Sequence, residues 1–426
     1  MAASLPRSET DSSVRALARR GGNGGAMFVK SFSRCLLRCG FAAAVIWCLL
    51  VETVEKFVES EFGMVLDGDW FLVLSGSSLS ECISFARVYA WPLSLAALSF
   101  LVAVAVVVLL SLRSSRRAFL ALVLVAVAAA CVRIAQAGSV RAWKPVYVAF
   151  DTLRSARDYG SVGSAGRWTD DRAAKVRRAP ECATNYVIVI GESLTAARLP
   201  FFGYGKDTTP RLSAMGGRLA ILGPVRAPSP YTVTSLMALL VSDGATAPVW
   251  FRLAGYRTCF VGAQDRWERY CSVEAAIFSA CERKVYLSDV AKGNRVYDEQ
   301  LLPYAADMMA SGDGRPFVLF VHMLGSHFPP EDRVPPGFAE GEGLDGYDRS
   351  VRYTDEVLAR LMEALPPRTE LLFISDHGES VDSDGWRDLR SEALWSVPMI
   401  VYPAAAAQKL SPSVGDFVSA WRAHCE

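Results

Sequence analysis

Residues 88–112 carry no charged side chain. A backbone in hydrocarbon must satisfy its own polar groups. A helix of about 20 apolar residues does this while crossing the bilayer core. This stretch constrains the chain more than any other and predicts a membrane span. Residues 39–54, with Glu52 as their one charge, and residues 118–132, between Arg117 and Arg133, are shorter and reach spanning length with their flanks. No small-x-small cleavage site follows the first stretch, so it reads as a span rather than a leader. Basic residues orient the set. Arg34 and Arg38 precede the first span, and Arg113, Arg116 and Arg117 separate the second from the third. The loop between the first two is acidic, with Glu52, Glu55, Glu59, Glu61, Asp67, Asp69 and Glu81. One topology satisfies this pattern: N-terminus cytoplasmic, three spans, and everything after about residue 140 outside.

The expected organisation is a cytoplasmic segment (1–38), an anchor (39–140), a juxtamembrane helix and linker (141–184) and a soluble domain (185–426). The apolar aromatic piece 70–74 of the acidic loop is expected to pack on the helices. Hydrophobic residues make up 51% of the chain, and 45 basic residues nearly balance 44 acidic ones, a net charge of +1. No overall field favours nucleic acid or a polyanionic partner. Ten cysteines show no CxxC zinc spacing. Outside the cell, Cys271 and Cys281 are near enough in sequence to staple a loop; reduced thiols are the equal alternative.

After residue 185 the grammar changes. Apolar β-rich runs at 186–190, 258–262, 317–322, 371–375 and 398–402 read as buried strands. Helical patterns fall between them, at 300–309 and 353–365, the latter with Val357, Leu358, Leu361, Met362 and Leu365 on one face. The alternation predicts an α/β domain with a largely parallel sheet. In such sheets, sites gather beyond the carboxyl ends of strands. Two predicted strands end in metal-ligand residues: one in Gly191-Glu192, the other in Asp376-His377-Gly378-Glu379. Carboxylates with a neutral imidazole suit zinc. Between them lies Ser229-Pro230-Tyr231-Thr232-Val233-Thr234-Ser235, with hydroxyls at Thr232, Thr234 and Ser235. A hydroxyl beside zinc loses its proton more readily and attacks a phosphorus ester. The same hydroxyls also suit the N-cap of a helix over the following apolar run. Three of the four histidines fall at strand ends: His377, His322 and His327. His327 reads as a ligand for phosphate or a second metal, or as a general acid. His322 reads as a core histidine.

These motifs occur in a set order: Gly191-Glu192-Ser193, Gly203-Tyr204 through Thr208 to Pro210-Arg211-Leu212, Thr232 through Ser235, His322 through Gly325-Ser326-His327, Tyr347-Asp348 through Asp355, and Ser375-Asp376-His377-Gly378-Glu379. As a set the series resembles the phosphoethanolamine transferases of Gram-negative envelopes, within the alkaline phosphatase and sulfatase superfamily. The resemblance covers about residues 185–402. It implies an inner-membrane, multi-pass enzyme with a sulfatase-like domain facing the periplasm. It implies phosphatidylethanolamine as donor, lipid A or lipopolysaccharide core as acceptor, and polymyxin resistance as an associated phenotype. Residue by residue, it implies Glu192, Thr232, Asp376 and His377 as zinc ligands, Thr232 as the nucleophile carrying the phospho-threonine, and His327 as the substrate-side histidine. Glu379 is implied as support for the metal site. The family's histidine about a dozen residues after the Asp-His pair is absent here, and Arg390 is the candidate to hold phosphate instead. A phosphoglycerol transferase of the same superfamily and an inactive membrane scaffold are the alternative readings. A sulfatase is disfavoured, because no Cys/Ser-x-Pro-x-Arg frame occurs at Thr232.

Overall fold

The computed structural model describes residues 10–62, 66, 82–83, 86–87, 89–138, 143–165, 176, 184–264, 272–291, 294–312, 314–381 and 391–409. The expected packing segment 70–74 lies outside them, as do Cys271 and Arg390. The chain divides into two compact units, Met1–Phe57 with Trp91–Ala149, and Val58–Ala90 with Phe150–Glu426.

Among the described residues, α1 (Thr10–Phe62), α2 (Ala90–Arg113) and α3 (Arg116–Ala137), mostly within the first unit, supply three segments long and apolar enough to cross a membrane: Cys35–Glu61, Ala90–Arg113 and Arg116–Ala137. Large apolar side chains on α2 and α3 face outward, among them Leu101 and Leu124, as lipid-facing helices require. A helix leaves its last carbonyls without partners. Arg38 of α1 meets this need at the end of α2: its Nη1 donates to Leu112 O at 3.0 Å and its Nη2 to Ser114 O at 2.9 Å. The same guanidinium lies 5.0 Å from the centre of the Phe119 ring, and Phe41 meets that ring edge-on at 5.4 Å. Towards the far end of the spans, Glu52 faces Arg133 at 3.9 Å and Glu55 faces Lys144 at 3.4 Å. Trp47 Nε1 donates to Pro145 O at 3.1 Å. Glu52 and Glu55 thus each face a cation rather than standing alone in apolar surroundings. A further helix, α4 (Lys144–Ala165), follows.

Among the described residues, the second unit is built on a seven-stranded sheet. Its strands are β1 (Asn185–Gly191), β2 (Ala220–Arg226), β3 (Arg257–Gly262), β4 (Arg283–Tyr286), β5 (Phe317–His322), β6 (Thr369–Ser375) and β7 (Ser396–Tyr402). In space they run β2-β7-β6-β1-β5-β3-β4. The five strands from β6 to β4 are parallel, whereas β7 is antiparallel to both β6 and β2. The fold is α/β with a mostly parallel sheet, as the alternation predicts. The central strands are apolar throughout because both faces are covered. Val187 and Val189 of β1 join one core with Leu301, Ala305 and Met308 of α6 (Leu301–Ala310) and Val357 and Leu361 of α7 (Gly346–Glu363). Tyr186, Ile188 and Ile190 point the other way, into a second core with Leu236 and Leu239 of α5 (Thr232–Leu240). The period-2 alternation of side chains thus yields three layers.

Strands β2 and β4 were not legible in the sequence. β2 reads Ala-Ile-Leu-Gly-Pro-Val-Arg and shifts register between Leu222 and Val225; a proline is tolerated there because the strand is at an edge. β4 has four residues, two of them charged. The helix expected over 353–365 begins at Gly346 instead. Asp345 caps it, accepting from Asp348 N at 2.7 Å, and Asp348 returns the contact to Asp345 N at 3.4 Å.

Candidate metal centre

β1 and β6 are parallel neighbours in register, with Gly191 opposite Ser375. Both strands therefore end at the same edge and deliver Glu192, Asp376 and His377 to one point. Their ligand-type atoms lie within 4.8 Å of one another, and all three side chains are buried. His377 Nε2 is 3.4 Å from Glu192 Oε1 and 3.4 Å from Asp376 Oδ2. Thr232, the first residue of α5, places its Oγ1 3.0 Å from Glu192 Oε2 and 3.5 Å from His377 Nε2.

These spacings fit a metal ion. Four donors about 2.0–2.1 Å from a tetrahedral zinc stand about 3.3–3.4 Å apart. The charges fit too. Burial, and next the Asp376 carboxylate, push the Glu192 carboxyl up to about 7. Burial likewise raises Asp376, against hydrogen bonds from Ser193 N and His377 N. Asp376 Oδ2 is buried with no hydrogen bond among the described residues. Two buried carboxylates with an orphaned oxygen form a site that a cation would relieve. His377 Nδ1 lies 2.7 Å from Gly378 O, which can only accept, so Nδ1 carries the hydrogen and Nε2 keeps its lone pair for a ligand.

The start of α5 differs from the expectation that a hydroxyl caps it. The N-cap is Tyr231, without a side-chain cap bond, and Thr232 already has helical position. Ser229 Oγ accepts from Tyr231 N, and Ser235 Oγ donates to Ser229 O, which occupies those hydroxyls in the turn. Thr234 Oγ1 is turned back to Tyr231 O at 3.1 Å. Of the three hydroxyls, Thr232 alone is placed beside the donor set. The first N–H groups of a helix have no acceptor within it, and a helix start of this kind suits phosphate oxygens.

His327 and Glu379 are not among the donors grouped with Glu192. His327 is partly buried, with Nδ1 2.9 Å from Phe328 O and 3.2 Å from Arg333 Nη2. Glu379 is 6% exposed and accepts from Ser380 N at 3.0 Å. His322 is fully buried at the end of β5, with Nδ1 3.4 Å from Glu274 Oε2. Burial lowers its affinity for a proton, but the Glu274 carboxylate outweighs this and pushes the imidazole up to about 9. Sequence reasoning missed Glu274 and also Gln264, whose Nε2 is 3.5 Å from Glu192 Oε2 and 2.9 Å from Met323 O. It also missed Asp298. That carboxylate is fully buried and accepts from Leu324 N at 2.7 Å and Gly325 N at 2.9 Å, which fixes the loop between His322 and His327. The one available signal was an acidic residue before the predicted helix at 300–309, which reads equally as ordinary N-terminal charge. Asp298→Ala strands two buried N–H groups and is expected to destabilise the domain by about 2–4 kcal/mol. Urea unfolding of the purified chain, read by tryptophan fluorescence, checks this; an unchanged midpoint would show the loop is held otherwise.

The sheet order, the three layers and the donor cluster at the strand ends define an α/β domain with a candidate metal site. The chain belongs to the sulfatase family, whose description matches residues 184–420. It is similar to the phosphoethanolamine transferase CptA of Salmonella typhimurium, 27% identical over 266 residues, covering 53% of this chain and 46% of that protein. It is also similar to the phosphoethanolamine transferase EptC of Escherichia coli K12, 27% identical over 228 residues, covering 46% of this chain and 39% of that protein. The aligned part thus spans less than half the length of these relatives. The integral membrane lipooligosaccharide phosphoethanolamine transferase A of Neisseria meningitidis shares the fold: TM-score 0.57 at 15% identity, over 90% of this chain and 80% of that one. So does the C-terminal periplasmic domain of Escherichia coli EptC, with TM-score 0.50 at 22% identity, over 56% of this chain and 80% of that one.

Proposed function

We propose that the protein transfers phosphoethanolamine from phosphatidylethanolamine to lipid A or the lipopolysaccharide core, through a phospho-threonine at Thr232. The observation that carries this reading is the position of Thr232 Oγ1 at the start of α5, within 3.0 Å of Glu192 and 3.5 Å of His377. The similar proteins EptC and CptA are named phosphoethanolamine transferases. Glu192, Asp376, His377 and Thr232 are proposed to hold one zinc ion, which when bound lowers the pKa of the threonine hydroxyl and stabilises charge on phosphorus oxygens.

Thr232 Oγ attacks the donor phosphorus. The new P–O bond forms as the bond to diacylglycerol breaks, and the threonine proton ends on the diacylglycerol oxygen. A hydroxyl or phosphate of the acceptor then displaces Thr232, which regains a proton. The N–H groups of the first turn of α5 orient the phosphoryl oxygens. His327 and Glu379, with Arg390, are assigned to the substrate side, where His327 relays the threonine proton to the leaving alcohol and ends unchanged. The sulfatase reaction is disfavoured, since Thr232 replaces the Cys or Ser that formylglycine requires.

The proposed organisation keeps 1–38 in the cytoplasm, 39–140 as a multi-pass inner-membrane anchor, 141–184 as linker and 185–426 as the periplasmic catalytic domain. Tethering the site near its donor lipid replaces a search in three dimensions with a local one. Mass spectrometry of envelope lipids with and without the gene tests the reading. One added phosphoethanolamine on the glycolipid fraction is expected. An added phosphoglycerol would substitute the rival superfamily reaction, and no added group would overturn the proposal.

A further inference from the structure

We infer that Tyr347 is a positioning residue for the metal centre: its hydroxyl locks the turn at Ser193 that aims the Glu192 carboxylate at Asp376 and His377. The inference deepens the metal reading above and rests on it.

Glu192 is the one donor of the set followed by a left-handed non-glycine residue. Ser193 has φ 56°, a conformation strained for an L-residue that persists only where its surroundings enforce it. That turn reverses the chain directly after β1 and brings Ser193 N to Asp376 Oδ1 at 3.1 Å and Ser193 Oγ to Glu192 Oε1 at 2.8 Å. Relaxed to an ordinary extended backbone, the turn would swing both contacts away and carry the Glu192 side chain with them.

The group that holds the turn is on α7. Tyr347 OH donates to Ser193 O at 2.6 Å and accepts from Thr195 N at 2.9 Å. One phenol hydroxyl therefore clamps both sides of the turn. Tyr347 is 6% exposed, so no water competes easily. One helical turn on, Ser350 Oγ lies 2.9 Å from Ser326 Oγ and 2.7 Å from Tyr347 O. Ser326 in turn donates its N–H to Glu192 O at 2.9 Å. Gly325 packs against the same peptide: a Cβ there would come within 2.5 Å of Glu192 O, and its φ of +55° already excludes most side chains. The first turn of α7 thus grips the main chain of Glu192 from two directions, at Ser193 and through Ser326. Residues that orient a ligand in this way typically set about 10–100-fold of metal affinity.

The test uses the full chain in detergent. Zinc affinity is read by competition with a chromophoric chelator, and the unfolding midpoint of the metal-free protein is read in parallel. Tyr347→Phe keeps the ring and removes only the clamp. Ser350→Ala removes only the indirect path and decides the matter should Tyr347→Phe not fold. Asp355→Asn serves as the control. It weakens a comparable buried contact on the same helix, where Asp355 accepts from Arg211 N and Leu212 N at 2.9 and 2.8 Å, away from Glu192. The expected result is zinc bound about 10–100-fold more weakly by Tyr347→Phe, several-fold more weakly by Ser350→Ala, and with unaltered affinity by Asp355→Asn. Wild-type affinity in a folded Tyr347→Phe, or in Ser350→Ala should Tyr347→Phe not fold, or an equal loss in Asp355→Asn, overturns the inference alone. A wild-type chain that binds no zinc removes the metal reading, and this inference with it.

Discussion

Thr232→Ala is expected to reduce phosphoethanolamine transfer at least about 1000-fold while leaving bound zinc in place. The methyl group that remains is small enough for the site, so no clash accompanies the loss. Three of the four proposed donors, Glu192, Asp376 and His377, come from β1 and β6 and do not depend on α5 for their position. Removing Thr232 therefore deletes the attacking oxygen without dismantling the cluster. Thr232→Ser keeps that oxygen and is expected to retain measurable transfer, slowed by the freer rotamer. The assay follows a labelled headgroup from phosphatidylethanolamine to acceptor, with zinc measured by elemental analysis on the same sample. Trapping of a labelled threonine-bound group in wild type, and its absence in Thr232→Ala, completes the test. Full activity in Thr232→Ala would remove the residue from the mechanism.

The second large effect concerns the metal. His377→Ala removes the one imidazole of the cluster and leaves Glu192 and Asp376 facing each other in a buried site. Zinc content is expected to fall from about one per chain to near zero at micromolar metal, and transfer with it. Protons oppose the metal in the wild type. The Glu192 carboxyl is pushed up to about 7, so below that pH the metal-free site holds a proton that zinc must displace. Zinc affinity is expected to weaken by about tenfold for each pH unit below 7, and to level off above it. The linkage for the metal-free protein has the opposite sense. Glu192 binds its proton more tightly folded than unfolded, so stability contributed by this group is present at low pH and is lost as pH rises through 7. Chelator titrations and urea midpoints between pH 5 and pH 8 read both slopes; an affinity flat across that range would exclude Glu192 as the proton competitor.

Much of this protein was readable before any coordinates. A charge-free run of 25 residues at 88–112 leaves few solutions other than a membrane helix, because backbone polar groups in lipid must be satisfied within the segment. The five buried strands were equally plain, since a strand covered on both faces has no polar positions to blur its outline. Their carboxyl ends carried Glu192, Asp376 and His377, and the parallel register of β1 and β6 turned two separated motifs into one cluster. Edge strands β2 and β4 escaped notice because, among the described residues, one side of each lacks a strand partner, which relaxes the demand for an apolar pattern.

What tertiary structure alone decided is how the site is held. The hydroxyl of Tyr347 serves a turn 154 residues earlier, Asp298 serves a loop 26 residues later, and Glu274 meets His322 across the sheet end. The resemblance had already singled out Thr232; what the first turn of α5 adds is the geometry, one hydroxyl pointing at Glu192 and that of Thr234 back at Tyr231. Hydrophobic periodicity reports which face of an element is buried, a local property of sequence. A hydrogen bond between residues far apart leaves no period behind it; it exists only once packing has brought donor and acceptor to within about 3 Å.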